Sequence, residues 1–261
     1  MVDIDTMPPS GAQGVPMKLI HSVSFFRHEA SSYESERCGD ARGVFFDNFV
    51  RALLPAHKAV WGETAELVVH HDDRVRTLPS FKTLQEAAGL KLVRLVGCGK
   101  AVTLCGAMLW RLRPLYEKGV DWVVCRDLDS LPMQRDRSMV EEAMAAGALC
   151  HAILDSESHS GPLMGGMTAF HAETWRTMVP KLPTFEELEF NSHGSDQRYL
   201  NSVIWPRIAG KTFIHQRRDD VAYPLAMKTA RVHPQTTDLD KIVRHIGAGY
   251  DVERALKVLG V

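Results

Sequence analysis

Two aspartates, Asp127 and Asp129, are the residues of this sequence whose type and spacing are best suited to chemistry. They follow a short apolar run, residues 122–125, which is typical of a buried β-strand. Two carboxylates so close together can both reach one hard divalent cation, which prefers oxygen ligands and bridges substrate phosphates. Such a cation would neutralise a diphosphate group as it departs in a transfer reaction. A solvated turn after the strand is the alternative use of the two acids.

The elements that must position this acid pair alternate along the chain. Strands are predicted at residues 18–26, 65–73, 91–97, 122–125, 150–154 and 213–216, and a glycine-started strand turning into a helix is predicted over 163–175. Helices are predicted at residues 44–61, 80–88, 102–117, 137–146, 195–205 and 252–260. Ser80 and Ser195 are the predicted N-caps of two of these helices, and Gly119 is the predicted stop of a third.

This alternation predicts an α/β fold, a mostly parallel mixed sheet with helices on both faces. In an open sheet of this kind ligands bind outside the carboxyl ends of the strands, where the acid pair falls. We expect a single domain over residues 17–261, preceded by a flexible tail rich in proline and glycine over residues 1–16. A polar segment, residues 28–43, is predicted to be a long loop of the kind that often covers a site.

Composition and charge exclude several classes of function. The 261 residues carry a formal net charge of -1, which provides no basic field for a nucleic-acid partner. The five cysteines are scattered and form no C-x-x-C pair, so we interpret them as reduced thiols. No stretch reaches the roughly 18 consecutive apolar residues of a membrane span. We therefore expect a cytoplasmic protein with a small-molecule site and no transmembrane segment.

Familiar nucleotide-binding and hydrolase motifs are incomplete. Residues 97–100 follow an apolar run, but Ala101 stands where a P-loop has the hydroxyl residue that binds magnesium. Two G-x-G pairs, at residues 97–99 and 247–249, lack the third glycine of a dinucleotide-binding loop. Neither G-x-S-x-G nor H-E-x-x-H occurs. These absences disfavour P-loop enzymes, dehydrogenases and the simplest serine or zinc hydrolases.

Four sequence blocks, YEKGVDWVVCRDLDSLP, HSGPLMGGM, SDQRYLN and HIG, resemble nucleotide-sugar transferases with the GT-A fold. Their order and spacing are similar to the group containing glycogenin and bacterial galactosyltransferases, and to capsular or viral relatives. The resemblance extends over roughly residues 17 to 250. It implies a GT-A, Rossmann-like fold, a Mn²⁺ or Mg²⁺ ion, a nucleotide-sugar donor such as a UDP-sugar, and a glycan or other hydroxyl acceptor.

The resemblance also implies roles for single residues. Asp127 and Asp129 would bind the metal, and His245 would be the third protein ligand, with His215 at the end of a late strand as its competitor. Arg111 matches a donor-contacting arginine, although a surface helix charge is the alternative.

Further donor contacts follow from the same resemblance. Gly165 and Gly166 would let the backbone approach the donor sugar, unless they only form a bulge or turn. In the polar loop before them, two residues resemble positions near the sugar: Asp155 and His159.

Two further pairs of neighbouring residues complete the predicted site. Asp196 and Gln197 correspond to an Asp-Gln pair near the reacting sugar carbon, where they would orient hydroxyls and stabilise oxocarbenium character. A helix first turn is the alternative reason for an aspartate after a serine cap. Asp72 and Asp73 resemble the acids that contact the nucleobase, or they form an edge turn.

The sequence departs from the family pattern after the HIG block. Glycogenin-like enzymes place a phosphate-contacting lysine there, whereas this chain has no lysine until Lys257. Arg126 and Leu128 also differ from the small residues that often flank the first acid in that group. These differences leave the stereochemistry of transfer open.

Two other functions are compatible with the sequence. A metal-dependent phosphohydrolase of the haloacid dehalogenase kind also has D-x-D after a strand, but Leu131 stands where that family has threonine or valine. A non-catalytic module that binds nucleotide-sugars or glycans would use the same residues without turnover. The remaining histidines, His70, His71, His151 and His171, are expected to be hydrogen-bonded structural residues.

Overall fold

The computed structural model describes residues 17–26, 41–100, 104–157, 159, 161–182, 194–218, 221–246 and 250–261. The predicted tail, residues 1–16, lies outside the described residues, as do residues 28–40 of the predicted polar loop. Residues 41–43, which were expected to end that loop, belong instead to the first helix.

The described strands form one sheet in the order β3-β2-β1-β4-β6-β5-β7-β8. Strand β6 is antiparallel to β4 and β5, and the other neighbouring pairs are parallel. This confirms the predicted mostly parallel mixed sheet. The strands are β1 Leu19–Phe25, β2 Ala65–His71, β3 Arg94–Gly97, β4 Trp122–Arg126, β5 Cys150–Leu154, β6 Met167–His171, β7 Thr212–Gln216 and β8 Lys228–Arg231.

Helices cover both faces of the sheet. The α-helices are α1 Ala41–Val60, α2 Pro79–Gly89, α3 Leu104–Leu109, α4 Gln134–Ala145, α5 Ala172–Met178, α6 Ser195–Tyr199, α7 Trp205–Ile208 and α8 Val252–Leu259. Shorter helical segments are the 3₁₀-helices Asp73–Thr77, Trp110–Tyr116 and Ala209–Lys211 and the π-helix Leu200–Ile204.

Strand β4 shows how the two faces are filled. Trp122 and Val124 lie in a buried cluster with residues of α1, α4 and α8. Val123 and Cys125 lie in a second cluster with residues of α5, the π-helix and the 3₁₀-helix Trp110–Tyr116. A central strand that is apolar on both sides is the pattern of a sheet covered by helices on both faces.

Several helix boundaries differ from the predictions. Helix α2 begins at Pro79 and has Leu78 as its N-cap, so Ser80 is not the cap. Proline suits the first helical position because its fixed φ angle is already helical. Helix α6 has Gly194 rather than Ser195 at its N-cap, with a φ of 80°. The prediction of both serine caps was wrong.

Two long helices predicted from the sequence are divided in the structure. The segment expected over residues 102–117 becomes α3 and the 3₁₀-helix Trp110–Tyr116, which contains Pro114, a residue without a backbone N–H. The segment expected over residues 195–205 becomes α6 and the π-helix Leu200–Ile204. Helix α7 then starts at Trp205, the last residue of the predicted segment.

Strand β8 was not predicted. It pairs with β7 along the edge of the sheet, and its sequence, KTAR, has no apolar alternation that would have indicated a strand.

Among the helices of the described residues, none combines the length and the apolar character needed to cross a membrane.

The parallel strands bring their carboxyl ends to one edge of the sheet. Arg126, the last residue of β4, pairs with Met167, the first residue of antiparallel β6, so β6 starts where β4 ends. The residues after β2, β4 and β5 and the residues before β6 therefore share this edge, where open α/β sheets bind ligands. Most of the residues predicted from the acid pair and the resemblance lie there.

Candidate functional site

The centre of the candidate site is Asp127, the residue after β4. Asp127 and Asp129 are partly exposed, whereas Leu128 between them is buried in the core. A turn follows, in which the backbone N–H of Ser130 donates to the carbonyl of Asp127 at 3.0 Å. The turn therefore places both carboxylates on the open side of the strand end.

The two glycines before β6 lie against these side chains. A Cβ atom added to Gly166 would come within 3.0 Å of both carboxylate oxygens of Asp127. A Cβ added to Gly165 would come equally close to Arg111 Nη2 and Asp196 Oδ2. Neither position has room for a side chain, so steric contact with the site explains both glycines without any unusual φ angle.

Arg111 joins two acids from distant parts of the chain. Its side chain lies on the 3₁₀-helix Trp110–Tyr116 and is 4% exposed. Nη1 donates to Asp127 Oδ1, and Nη2 donates to Asp196 Oδ2 at 2.8 Å. Burial alone would lower the pKa of Arg111, but the negative charges of Asp127 and Asp196 raise it above its usual value. The guanidinium is therefore a fixed positive charge at the carboxyl edge.

Asp196 lies on a helical segment that Asn201 holds in place. It is buried in the first turn of α6, while Gln197 beside it is partly exposed. Asn201, four residues further on, receives a hydrogen bond from Leu163 N on its Oδ1 and donates its Nδ2 to the carbonyls of Leu163 and Gln197. Asn201 thus fastens this helical segment to the loop that leads to Gly165.

His245 lies in the C-terminal segment that approaches the same edge. Its Nδ1 is 3.0 Å from the carbonyl oxygen of Ile246, which can only accept, so Nδ1 carries a proton and Nε2 is the nitrogen that could bind a metal. This is the arrangement by which proteins fix a metal-binding imidazole. The ring of His159 packs edge-on against His245 with 5.7 Å between centroids.

His159 connects His245 to the acids. Burial is the main cause that lowers the pKa of His159, and His245 lowers it further, while the nearby charges of Asp155 and Asp127 oppose the shift. These interactions place His159, His245 and Asp127 in one neighbourhood. Of the two histidines that competed for the third-ligand role, His245 contacts His159, whose pKa responds to the charge of Asp127. His215 lies instead in a separate cluster with Glu142 and His151.

Asp155, the residue after β5, holds the segment that carries His245. Its Oδ2 accepts from the backbone N–H of Ile246 at 2.9 Å and pairs with Arg135 Nη1 at 2.8 Å. Asp155 and Arg135 are both buried, and the backbone N–H of Arg135 reaches Asp240 Oδ1 at 3.3 Å. The contacts of Asp155 are those of a residue that positions the loop. Its predicted contact with a donor sugar stays a prediction.

Asp129 faces a residue that the sequence analysis did not consider. Burial raises the pKa of Tyr250, and the charge of Asp129 raises it further. The Tyr250 hydroxyl donates to the carbonyl of Phe49 at 3.3 Å, and its ring packs against Phe49. Tyr250 and Arg135 carried no sequence signal of their own, because each acts through a partner far along the chain. Asn201 is the last residue of the SDQRYLN block, but the block assigned it no role.

Asp72 and Asp73 follow β2 at the same edge but are engaged locally. Asp72 is fully buried, caps the 3₁₀-helix Asp73–Thr77 and accepts hydrogen bonds from Arg74, including one of 2.7 Å from its backbone N–H. Asp73 is exposed and pairs with Arg76 at 3.0 Å. A role for either acid with a nucleobase stays a prediction.

The predicted metal ligands fit a hard cation in their chemistry. They comprise two partly exposed carboxylates and an imidazole whose Nε2 is available. Among the described residues, the three-residue group whose ligand atoms all lie within 4.8 Å of one another is a different one, Glu142, His215 and His233. The assignment of Asp127, Asp129 and His245 as joint ligands therefore stays a prediction.

The other histidines have structural contacts. His70 Nδ1 is 3.3 Å from the Ser22 hydroxyl, and the His171 side chain accepts from Thr174 N as the N-cap of α5. His71 packs edge-on against Phe81.

Comparison with known proteins gives distant structural likenesses. No protein-family model matches the chain, and no curated protein matches it. The structure of S. aureus TarS in complex with UDP aligns over 93% of this chain and 70% of its own, at 13% identity with a TM-score of 0.47. A mannosyltransferase from Pyrobaculum calidifontis, in complex with GDP-Man and Mn²⁺, aligns over 92% of this chain and 64% of its own, at 15% identity with a TM-score of 0.42.

Two further aligned structures come from proteins with different named activities. A glycosyltransferase involved in glycosylation of the major capsid of PBCV-1 aligns over 77% of this chain and 82% of its own, at 12% identity with a TM-score of 0.36. A cytidylyltransferase from Leptospira borgpetersenii aligns over 78% of both chains, at 13% identity with a TM-score of 0.46. Three of these four neighbours are named as transferases: a mannosyltransferase, a glycosyltransferase and a cytidylyltransferase. The description of the fold rests on the topology of the sheet itself.

Proposed function

We propose that this chain is a divalent-cation-dependent glycosyltransferase that moves a sugar from a nucleotide-diphosphate sugar, a UDP-sugar, to a hydroxyl group of a glycan or another acceptor. The observation that carries the proposal is the bridge from Arg111 to Asp127 and Asp196, with Gly165 and Gly166 packed against it. The bridge joins the acid predicted to bind the metal to the acid predicted to face the sugar, at the edge where open sheets bind ligands.

Positive charge is the first requirement of the proposed reaction. A Mn²⁺ or Mg²⁺ ion held by Asp127, Asp129 and His245 would supply the charge that stabilises a departing diphosphate. Arg111 adds a permanent positive charge that is already buried and oriented by two carboxylates. A fixed charge in a site shielded from water stabilises developing negative charge without reorganisation.

Close approach of the donor is the second requirement. Gly165 and Gly166 present bare backbone next to Asp127 and Asp196, so a sugar can come within contact distance of both acids. In this arrangement Asp196 orients donor hydroxyls through the carboxylate that Arg111 holds. Gln197, partly exposed on the same helical turn, provides a neutral amide beside it.

Product formation from defined donors tests the proposal. We expect wild-type protein with Mn²⁺ to transfer sugar from at least one member of a panel of UDP-sugars to a glycan mixture, detected as a mass increase of the acceptor. Asp196→Asn should lower the rate by about 100-fold, the size of effect seen when one preorganised charge is removed. Binding of UDP should persist in this variant. The matched control is Asp238→Asn, since Asp238 is 80% exposed and pairs with Lys241 at 3.1 Å.

The same experiment separates the other functions. Release of inorganic phosphate from simple phosphoesters, with no sugar transfer, would replace the proposal with a phosphohydrolase. Binding of UDP without turnover of any donor would indicate a binding module.

A further inference from the structure

A second cluster of metal-binding groups lies away from the carboxyl-edge site. Glu142 on α4, His215 on β7 and His233, two residues after β8, have ligand atoms that all lie within 4.8 Å of one another. The Nε2 atoms of both rings point at the same carboxylate oxygen, Glu142 Oε2, at 3.1 Å for His215 and 2.9 Å for His233. Three ligand atoms thus converge from three different elements.

Both histidines of the cluster contact neighbouring residues. His215 is fully buried, stacks on Phe213 with 4.5 Å between ring centroids, and has its Nδ1 2.9 Å from His151 Nε2. His233 is fixed through its backbone, whose N–H lies 3.4 Å from the sulfur of Met139 on α4. The ring of His215 is therefore fixed in the interior, and the backbone of His233 is anchored to α4.

The cluster is reachable from solvent. The side chains of Glu142 and His233 are 37% and 33% exposed, while His215 forms the buried wall behind them. Lys228 Nζ lies 3.4 Å from Glu142 Oε1, the oxygen that the two rings do not share, and its side chain is half-exposed. The positive charge of Lys228 therefore lies next to Oε1, and its exposure to water weakens its repulsion of a cation bound at Oε2.

We propose that Glu142, His215 and His233 form a binding site for a transition-metal ion, with Zn²⁺ as the ion that fits this set of ligands best. Two imidazole nitrogens and one carboxylate oxygen are ligands that zinc accepts in tetrahedral sites, with water as the fourth. Nitrogen-rich sites favour zinc over manganese and magnesium. The cluster thus differs in chemistry from the acid pair of the proposed active site, and this proposal does not depend on that function.

The protons at the site allow this binding without a net change of charge on the rings. In the metal-free arrangement both Nε2–H groups donate to Glu142, and His151 Nε2–H donates to His215 Nδ1. On binding, each ligand ring keeps one proton but carries it on Nδ1, which frees Nε2 for the metal. The proton of His151 moves from Nε2 to its own Nδ1, so that the Nδ1–H of His215 then donates to His151 Nε2, the outer contact that orients many metal-bound histidines.

The position of the site indicates a structural role. Strand β8 is the outermost described strand next to β7, and its residues are mostly exposed. A metal bound by this set would link α4, β7 and the segment after β8, and so hold the edge strand to the body of the sheet.

Zinc titration of the full chain tests this site. We expect calorimetry with ZnCl₂ to show a bound ion that raises the Tm of the wild-type protein, since an ion that binds only the folded state stabilises it. His233→Ala and Glu142→Gln should each weaken this binding at least about tenfold, as loss of a metal contact does. His233→Cys, which supplies another zinc ligand, should restore it.

Two controls make the outcome specific. Glu141→Gln changes the neighbouring acid on α4, which pairs with Arg137 at 2.7 Å, and should bind zinc as the wild type does. Asp127→Asn should also keep the zinc site, because that residue belongs to the other site. No zinc-dependent rise in Tm for the wild type would overturn the proposal, and so would unchanged zinc affinity in His233→Ala or Glu142→Gln.

Discussion

Arg111 is the residue on which the charge balance of the candidate site depends. Its side chain is 4% exposed and is shared between Asp127, which is 38% exposed, and Asp196, which is 9% exposed. A buried charge that loses its partner is costly, whereas a buried pair that stays intact contributes little net stability. The bridge therefore holds three charged groups together at the carboxyl edge. Its loss should lower the free energy of unfolding.

Replacement of Arg111 tests this balance. We expect Arg111→Ala to lower the free energy of unfolding by about 3 kcal/mol, because Asp196 is left buried without a counter-charge. Urea unfolding followed by circular dichroism measures the change. The control is Arg51→Ala, which removes an exposed pair with Glu253 and should cost less than about 1 kcal/mol. Equal losses in the two variants would show that the Arg111 bridge is not buried as described.

Gly166 is a residue whose missing side chain matters. A Cβ atom there would collide with the carboxylate of Asp127, so we expect Gly166→Ala to displace that carboxylate and to weaken Mn²⁺-dependent UDP binding at least about tenfold, as misplacement of a metal ligand does. Gly89→Ala, a helical position with open space around its Cβ, is the control and should bind UDP as the wild type does. Calorimetry distinguishes the two. Normal UDP binding by Gly166→Ala would remove Asp127 from the proposed site.

At the scale of elements, the strands were predicted better than the helices. Residues such as the apolar run of β4 carry a local signal, whereas the break of the predicted helix at residues 102–117 depends on Pro114 and on packing against the sheet. The antiparallel direction of β6 had no local signal either. It is nevertheless this direction that brings Gly166 next to Asp127.

The loop that carries His245 is held to the end of β5 by one carboxylate. We expect Asp155→Ala to lower the free energy of unfolding by about 3 kcal/mol, because it leaves Arg135 buried and unpaired and removes the acceptor of Ile246 N–H. Mn²⁺-dependent UDP binding should weaken in the same variant, since His245 is no longer positioned. Asp238→Ala is the exposed control for both measurements. A variant with wild-type stability would mean that Asp155 does not hold this loop.

At the scale of the whole molecule, contacts between residues far apart in the sequence limit how much of the site local patterns can predict. The acid pair at a strand end, and hence the edge expected to bind a ligand, followed from residues 122–129 alone. The bridge from Arg111 to Asp196 joins residues 85 positions apart and depends on the full strand order. Asn201 joins Leu163 to Gln197, and Arg135 contacts Asp155 and Asp240, so these roles depend on the folded chain and the local patterns did not assign them.

Buried histidines should make the stability of the whole fold depend on pH. Burial lowers the pKa of His57 to about 4, and it is the main cause that lowers the pKa of His70 to about 3 and of His215 to about 4. Below pH 6.5 the unfolded chain gains protons on these rings while the folded protein does not, so stability is complete above that pH and falls as the pH decreases.

We expect the free energy of unfolding to decrease from pH 7 to pH 5, with each such histidine contributing a slope of up to about 1.4 kcal/mol per pH unit. Urea unfolding at a series of pH values measures this slope, and His57→Gln should reduce it. A free energy that is constant or rises toward pH 5 would contradict the burial of these rings.

The most direct test of the proposed function is calorimetric titration of UDP into the protein with and without Mn²⁺. We predict that wild-type protein binds UDP in the presence of Mn²⁺ and at least about tenfold more weakly without it, because the ion joins Asp127 and Asp129 to the diphosphate. Asp127→Asn should lose this dependence on Mn²⁺, while Asp238→Asn should keep it. Binding of UDP that is absent, or equally strong with and without Mn²⁺, would contradict the account.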